Sequence, residues 1–245
     1  MRTFADRHPV IWAYLYFCYF SVIYQLLIYG SGMSGFVGLR QSLVMSVLWL
    51  IPLLLLPNKS RIIAAIIGVV LWSASVISLG YWLIYGQDFS QSVIFIIFES
   101  NFAEGSEFVS SYLQWWHLLV YVVFSIIPVL MWRVMPAISF SPLKRYRYAA
   151  LFSMLVAWPF ISTYAEQRNT APALDHLVAR LEPAAPWNIV VGYIKYLEQL
   201  ASMERLLSNN RRLAPLNDFV VNANLLPDTL VLVIGESTNR QRMSL

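Results

Sequence analysis

The sequence predicts an α-helical polytopic membrane protein, with five transmembrane helices followed by bridging helices and the opening strand of a truncated α/β domain. Three observations carry that expectation. Of 245 residues, 58% are hydrophobic and 12% charged, and the mean hydropathy is +0.59, more apolar surface than one soluble core needs. Five charge-poor runs are spaced along the first two thirds of the chain. Near the end, DTLVLVIGES sets a run rich in β-branched and leucyl residues before Gly235, the pattern of a strand covered on both faces that stops at a turn.

After Arg2 and Arg7, residues 10–29 carry no charge. About twenty such residues cross a hydrocarbon core of roughly 30 Å as one helix. A cleaved leader would have a shorter apolar region of about 7 to 15 residues, so a retained first span is expected. Residues 42–56 are shorter and contain Pro52, between Arg40 and the polar turn Pro57-Asn58-Lys59-Ser60-Arg61. Taken alone they form the weakest span. Residues 62–85, 115–135 and 146–164 complete the set, with Tyr81, Trp82, Tyr85, Trp115 and Trp116 near run ends, where aromatic rings favour the headgroup level. Residues 1–165 are thus read as the transmembrane domain.

Charge bias decides the weak run. With the N-terminus in the cytoplasm, the inner segments hold Arg2, Arg7, Lys59, Arg61, Arg133, Lys144, Arg145 and Arg147, and the outer loops hold only Arg40. If 42–56 did not cross, the basic cluster at 144–147 would move outside and the positive-inside rule would be reversed. Five spans send the C-terminus to the far side. The outer loop 86–114 mixes Asp88, Glu99, Glu104 and Glu107 with the apolar stretch 93–98, so part of it is expected to lie along the interface as a helix. As residues alone, its carboxylates read equally well as the solvated face of a connector.

Beyond the last span, Leu174, Leu177, Val178 and Leu181 repeat on one helical face, Glu182-Pro183-Ala184-Ala185-Pro186-Trp187 breaks the helix, and Ile194, Leu197, Leu200, Met203 and Leu207 mark a second one. These elements and the linker up to 227 form the bridging region, 166–227. Residues 228–245 form the start of the truncated domain. Gly235 permits the turn that sets Glu236 at the carboxyl end of the strand, where sites in open α/β sheets are built.

The segment V-I-G-E-S-T-x-R-x-x-M-S-L at 233–245, joined to five apolar spans, resembles the phosphoethanolamine transferases of Gram-negative envelopes, a membrane-bound branch of the alkaline phosphatase and sulfatase superfamily, and within it those acting on the lipopolysaccharide core. That resemblance implies a sulfatase-like catalytic domain in the periplasm, carried by an inner-membrane anchor with a cytoplasmic N-terminus and periplasmic C-terminus. It implies transfer of phosphoethanolamine from phosphatidylethanolamine, through a covalent phospho-threonine, to the lipopolysaccharide core or lipid A. The glutamate of the G-E-[ST] motif, a zinc ligand in the family, falls on Glu236. The nucleophilic threonine and the Asp-His pair that completes the metal site would lie beyond Leu245, so this chain alone is expected to be inactive. An outer-loop glutamate that meets the donor headgroup in the family falls on Glu104 of Phe98-Glu99-Ser100-Asn101-x-x-Glu104. An asparagine that relatives place two helical turns earlier is Ile96 here, so part of that recognition pattern is absent or differently built.

Other chemistries fit less well. Basic residues are scattered near run ends without interleaved aromatics, so nucleic acid is not an expected partner. Cys18 is the only cysteine, which excludes an intramolecular disulfide. His8, His117 and His176 form no i, i+4 metal pair. Ser237 and Thr238 suit a helix cap better than a nucleophile, and Arg240 and Arg242 read first as a solvated helix face. A transporter ranks low because no predicted span carries an ionisable residue of the kind that marks an ion or substrate path. Two alternatives stand beside the transferase: a phosphoglycerol transferase of the same superfamily, and a membrane module without catalysis.

Overall fold

A computed structural model describes residues 2–32, 35–89, 91–138 and 140–210. Among them there is no strand, and regular structure is helical throughout. The predicted strand and Glu236 lie outside the described residues. A short α1 (Arg2–Arg7) leads into α2 (Pro9–Gly30), whose proline takes a first-turn position where no amide donor is needed. The second run is α3 (Phe36–Met45), a tight 3-10 turn at Ser46–Trp49, and α4 (Leu50–Leu55). Pro52 has no N–H to offer the carbonyl of Leu48, and the helix tightens just there. Ser46 Oγ also donates to the Ser42 carbonyl at 2.6 Å, a local competition that bends helices.

A second 3-10 turn, Pro57–Lys59, opens α5 (Ser60–Tyr85). Then come α6 (Gln91–Glu99), α7 (Phe102–Tyr112), α8 (Trp115–Arg133), α9 (Pro142–Gln167), α10 (Thr170–Leu181) and α11 (Trp187–Asn210). Five segments are long and apolar enough to cross a membrane: Pro9–Gly30, Phe36–Leu55, Pro57–Tyr85, Trp115–Arg133 and Pro142–Gln167. The second begins at Phe36, upstream of the predicted 42, and includes Arg40. Hydropathy stops at a charge, but the helix does not, because an arginine near a helix end can carry its head group out along its own stem.

Within the unit spanning 1–201, α2 is the central stave. Of its most apolar window 56% is buried, against 17% for α8 and α9, so the latter two turn most of their apolar surface outward, as lipid contact requires. Trp12, Tyr16, Phe17 and Phe20 of α2 meet Leu50, Leu53 and Leu54 of α4, Leu71 of α5 and Phe124 of α8 in one core. At Gly68 a Cβ would lie 1.8 Å from Tyr16 Oη, so glycine alone admits the tyrosine, which donates to the Ala64 carbonyl at 3.3 Å. Pro128 inside α8 removes the donor for the Phe124 carbonyl. Tyr19 of α2 supplies the replacement, its hydroxyl 2.9 Å from that oxygen. At the other end of the bundle Trp12 Nε1 donates to Met131 O at 3.0 Å, and Trp132 Nε1 to Arg61 O at 3.0 Å.

The second unit, 202–245, is described only to 210, as the exposed end of α11.

Candidate functional site

Four polar side chains in otherwise apolar helices locate the site. Ser21 and Gln25 on α2, Ser42 on α3 and Ser78 on α5 are each at most 4% exposed, where a polar group without a partner costs several kcal/mol at the upper end. Each finds a partner on the turn between α10 and α11 or on the first residues of α11. The Ala185 amide donates to Ser21 Oγ at 3.0 Å. The Pro183 carbonyl accepts from Gln25 Nε2 at 3.2 Å and from Ser42 Oγ at 3.0 Å. Asn188 Nδ2 donates to Ser78 Oγ at 2.7 Å. Pro183 and Pro186 interrupt the helix, leaving backbone groups unpaired within the turn, and the bundle supplies their missing partners.

Beside this turn is a polar cavity of about 340 Å³, lined by Tyr24, Gln25, Asp88, Asn188 and Lys195 among others. Tyr24 fixes its acidic wall: the hydroxyl donates to Asp88 Oδ1 at 2.8 Å and accepts from the Phe89 amide at 2.9 Å. Lys195 Nζ lies 2.7 and 2.8 Å from the two oxygens of Glu182. With 41% and 38% of these side chains exposed, the pair contributes about 0 to 1 kcal/mol, so its value is positional. The side-chain oxygen of Asn188, Oδ1, is buried with no partner among the described residues. The cavity is thus lined by two carboxylates, Asp88 and Glu182, and by one ammonium, Lys195, which Glu182 already holds, so the free charge of its wall suits a cationic group.

Helix α6 packs beside this region. Val93 and Ile94 join Phe89, Tyr24, Ile28 and Tyr196 in an apolar cluster, and Phe98 stacks on Tyr196 with ring centroids 5.6 Å apart. A Cβ on Gly192 would sit 2.3 Å from Ile94 Cδ1, so the bare backbone there lets α6 approach α11. The predicted helix in the outer loop is thus present as two, α6 and α7.

Glu104 stands elsewhere. It lies in the first turn of α7, exposed, and is not among the residues lining the cavity. Its carboxylate accepts from Asn101 Nδ2 at 2.8 Å and from the Asn101 amide at 3.3 Å, while Asn101 Oδ1 accepts from the Glu104 amide at 2.9 Å. This reciprocal pairing is a capping box with asparagine at the cap, a structural duty for the residue. Ile96, at the missing-asparagine position, is 62% exposed on α6.

No family model matches the chain, and no solved structure does. Over 236 residues, 96% of its length, the chain is 47% identical to phosphoethanolamine transferase CptA of Salmonella typhimurium. Over 239 residues, again 96%, it is 46% identical to phosphoethanolamine transferase EptC of Escherichia coli. The chain is related to phosphoethanolamine transferases. It spans 41% of the length of each of these two relatives.

Of the two side chains to which the likeness to phosphoethanolamine transferases gave a role, Glu104 is described. Glu236, assigned to zinc, lies outside the described residues, and among those described no three His, Cys, Asp or Glu side chains come together to hold a metal. Sequence reasoning missed the polar cavity and its anchors. Ser21 and Gln25 sit four residues apart on one face of the first apolar run, a signal that could have been read as a docking face. The partner turn, more than 150 residues later, could not be paired with it from spacing.

Proposed function

We propose that this chain is the membrane half of an enzyme that transfers phosphoethanolamine from phosphatidylethanolamine to the lipopolysaccharide core or lipid A. The observation that carries the reading is identity of 46 to 47% with phosphoethanolamine transferases over 96% of the chain. In the reaction a threonine oxygen attacks phosphorus, the bond to the diacylglycerol oxygen breaks, and that oxygen leaves with a proton. The acceptor then takes the phosphoethanolamine group and restores the threonine. The threonine belongs to sequence beyond Leu245, and Glu236 is this chain's contribution to a zinc ion there. Zinc would lower the pKa of the attacking oxygen and offset charge on the phosphoryl oxygens.

Glu104 is assigned to the donor's ammonium, with α7 carried on the periplasmic side of the inner membrane. The test is to supply the full-length enzyme with phosphatidylethanolamine labelled in its headgroup and, separately, with labelled phosphatidylglycerol. Label from the first alone is expected on the acceptor, and Glu236→Ala is expected to abolish transfer and zinc content while membrane insertion persists. Label from phosphatidylglycerol alone identifies a phosphoglycerol transferase and overturns the reading.

A further inference from the structure

A groove of about 520 Å³ runs between α3, α9 and α10, distinct from the polar cavity in every residue that lines it. Its polarity is sorted along its length. On α3 the lining passes from Arg40 and Gln41 to Val44 and Met45, and on α9 from Ser162 through Trp158 to Leu155, Met154 and Leu151. The two helices run in opposite chain directions, yet both place polar residues at one end and apolar residues at the other. From Ser162 to Leu151 the helix rises about 16 Å at 1.5 Å per residue, a length over which an acyl chain can lie. Leu151, Met154, Leu155 and Trp158 are 56, 56, 41 and 57% exposed, so the apolar end faces out of the bundle.

The polar end is cationic. Arg40 and Arg180 line it and no aspartate or glutamate does, nor does either arginine form an ion pair among the described residues. Arg180 is oriented by its neighbours: its Nε donates to His176 Nε2 at 3.2 Å, and His176 Nδ1 lies 2.6 Å from Thr163 Oγ1 on α9. With Nε2 accepting, a neutral imidazole carries its proton on Nδ1 and donates to the threonine. That leaves the terminal nitrogens of the guanidinium for an anion.

We propose that this groove binds one anionic glycerophospholipid, its phosphate between Arg40 and Arg180 and one acyl chain along α9. A free phosphate would leave the apolar length unused. A zwitterionic lipid would bring an ammonium to a wall of guanidinium groups with no carboxylate to meet it. The site goes beyond the transfer reaction, and its failure would leave that reading untouched.

The test is competitive lipid binding to the full chain in detergent, read by native mass spectrometry with phosphatidylglycerol, phosphatidylethanolamine and inorganic phosphate as probes. Phosphatidylglycerol is expected to bind about tenfold more tightly than phosphatidylethanolamine, each interfacial arginine adding to the attraction for an anionic headgroup. Inorganic phosphate is not expected to displace it. Arg40→Gln with Arg180→Gln should erase the preference and leave phosphatidylethanolamine binding unchanged, and lysine at both positions should keep most of it. Met154→Trp, which fills the apolar end and leaves both arginines, should weaken phosphatidylglycerol as well. Equal binding of the two lipids by the unmodified chain, a preference that survives the double glutamine variant, or displacement by inorganic phosphate would each overturn the proposal. A diphosphorylated glycolipid is added as a fourth probe, and its tighter binding would also overturn the proposal by naming a different occupant.

Discussion

Glu104 holds both oxygens in a capping box with Asn101 and is also the residue assigned to the donor's ammonium. Chemistry separates the two duties. Glutamine preserves an acceptor for the asparagine groups but removes the charge, whereas alanine removes both. If the carboxylate meets an ammonium, Glu104→Gln and Glu104→Ala should raise the KM for phosphatidylethanolamine alike, by roughly tenfold for a charge-assisted bond of about 1.5 kcal/mol. Alanine alone should also loosen α7, by about 1 kcal/mol of cap stability, seen as faster amide exchange at Phe102 to Glu107. A glutamine variant with donor kinetics of the unmodified enzyme would reduce Glu104 to a cap.

At the scale of an element, Pro128 and Tyr19 make a checkable pair. The proline strips the donor from the Phe124 carbonyl, and a phenol from another helix replaces it at 2.9 Å. Tyr19→Phe keeps the ring against Phe124 and should cost about 0.6 to 1.7 kcal/mol, the range for hydrogen bonds between transmembrane helices. In a Pro128→Ala background, where the helix supplies its own amide, the same change should cost close to nothing. A double-mutant cycle of unfolding in detergent measures the difference, and an equal cost in both backgrounds would show that the hydroxyl does not serve this carbonyl. The sequence made the existence of α8 plain, since an apolar run of that length whose one charge, Arg133, falls near its end is unambiguous. It could not reveal the phenol's duty, because the orphaned carbonyl is created in one helix and satisfied in another more than 100 residues away.

Over the whole molecule, the five spans were legible because hydropathy and charge bias are local sums that survive without tertiary detail. The second span shows the limit: Arg40 ends the hydropathy window but not the helix, which begins at Phe36. The predicted orientation is directly testable. In a Cys18→Ser background, Ser106→Cys should react with an impermeant maleimide in cells with a permeabilised outer envelope, and Lys59→Cys only after the inner membrane is opened. If residues 42–56 failed to cross, the two reactivities would exchange. The polar cavity was illegible for a different reason. Its floor is made by Tyr24 and Gln25, its wall by Asp88, and its far side by Asn188 and Lys195, stretches of chain whose composition says nothing of their meeting.

The turn at 183–188 sets a rule for dissecting this protein. Its carbonyl at Pro183 and its amide at Ala185 are satisfied by hydroxyl and amide groups that sit inside the lipid-spanning helices. A water-soluble piece beginning at Thr170 would surrender those partners and bare Ala184 and Ala185, which are 1% and 5% exposed here. Any shortened chain meant to fold without the apolar helices should begin after this turn, because those helices hold the partners of its polar groups.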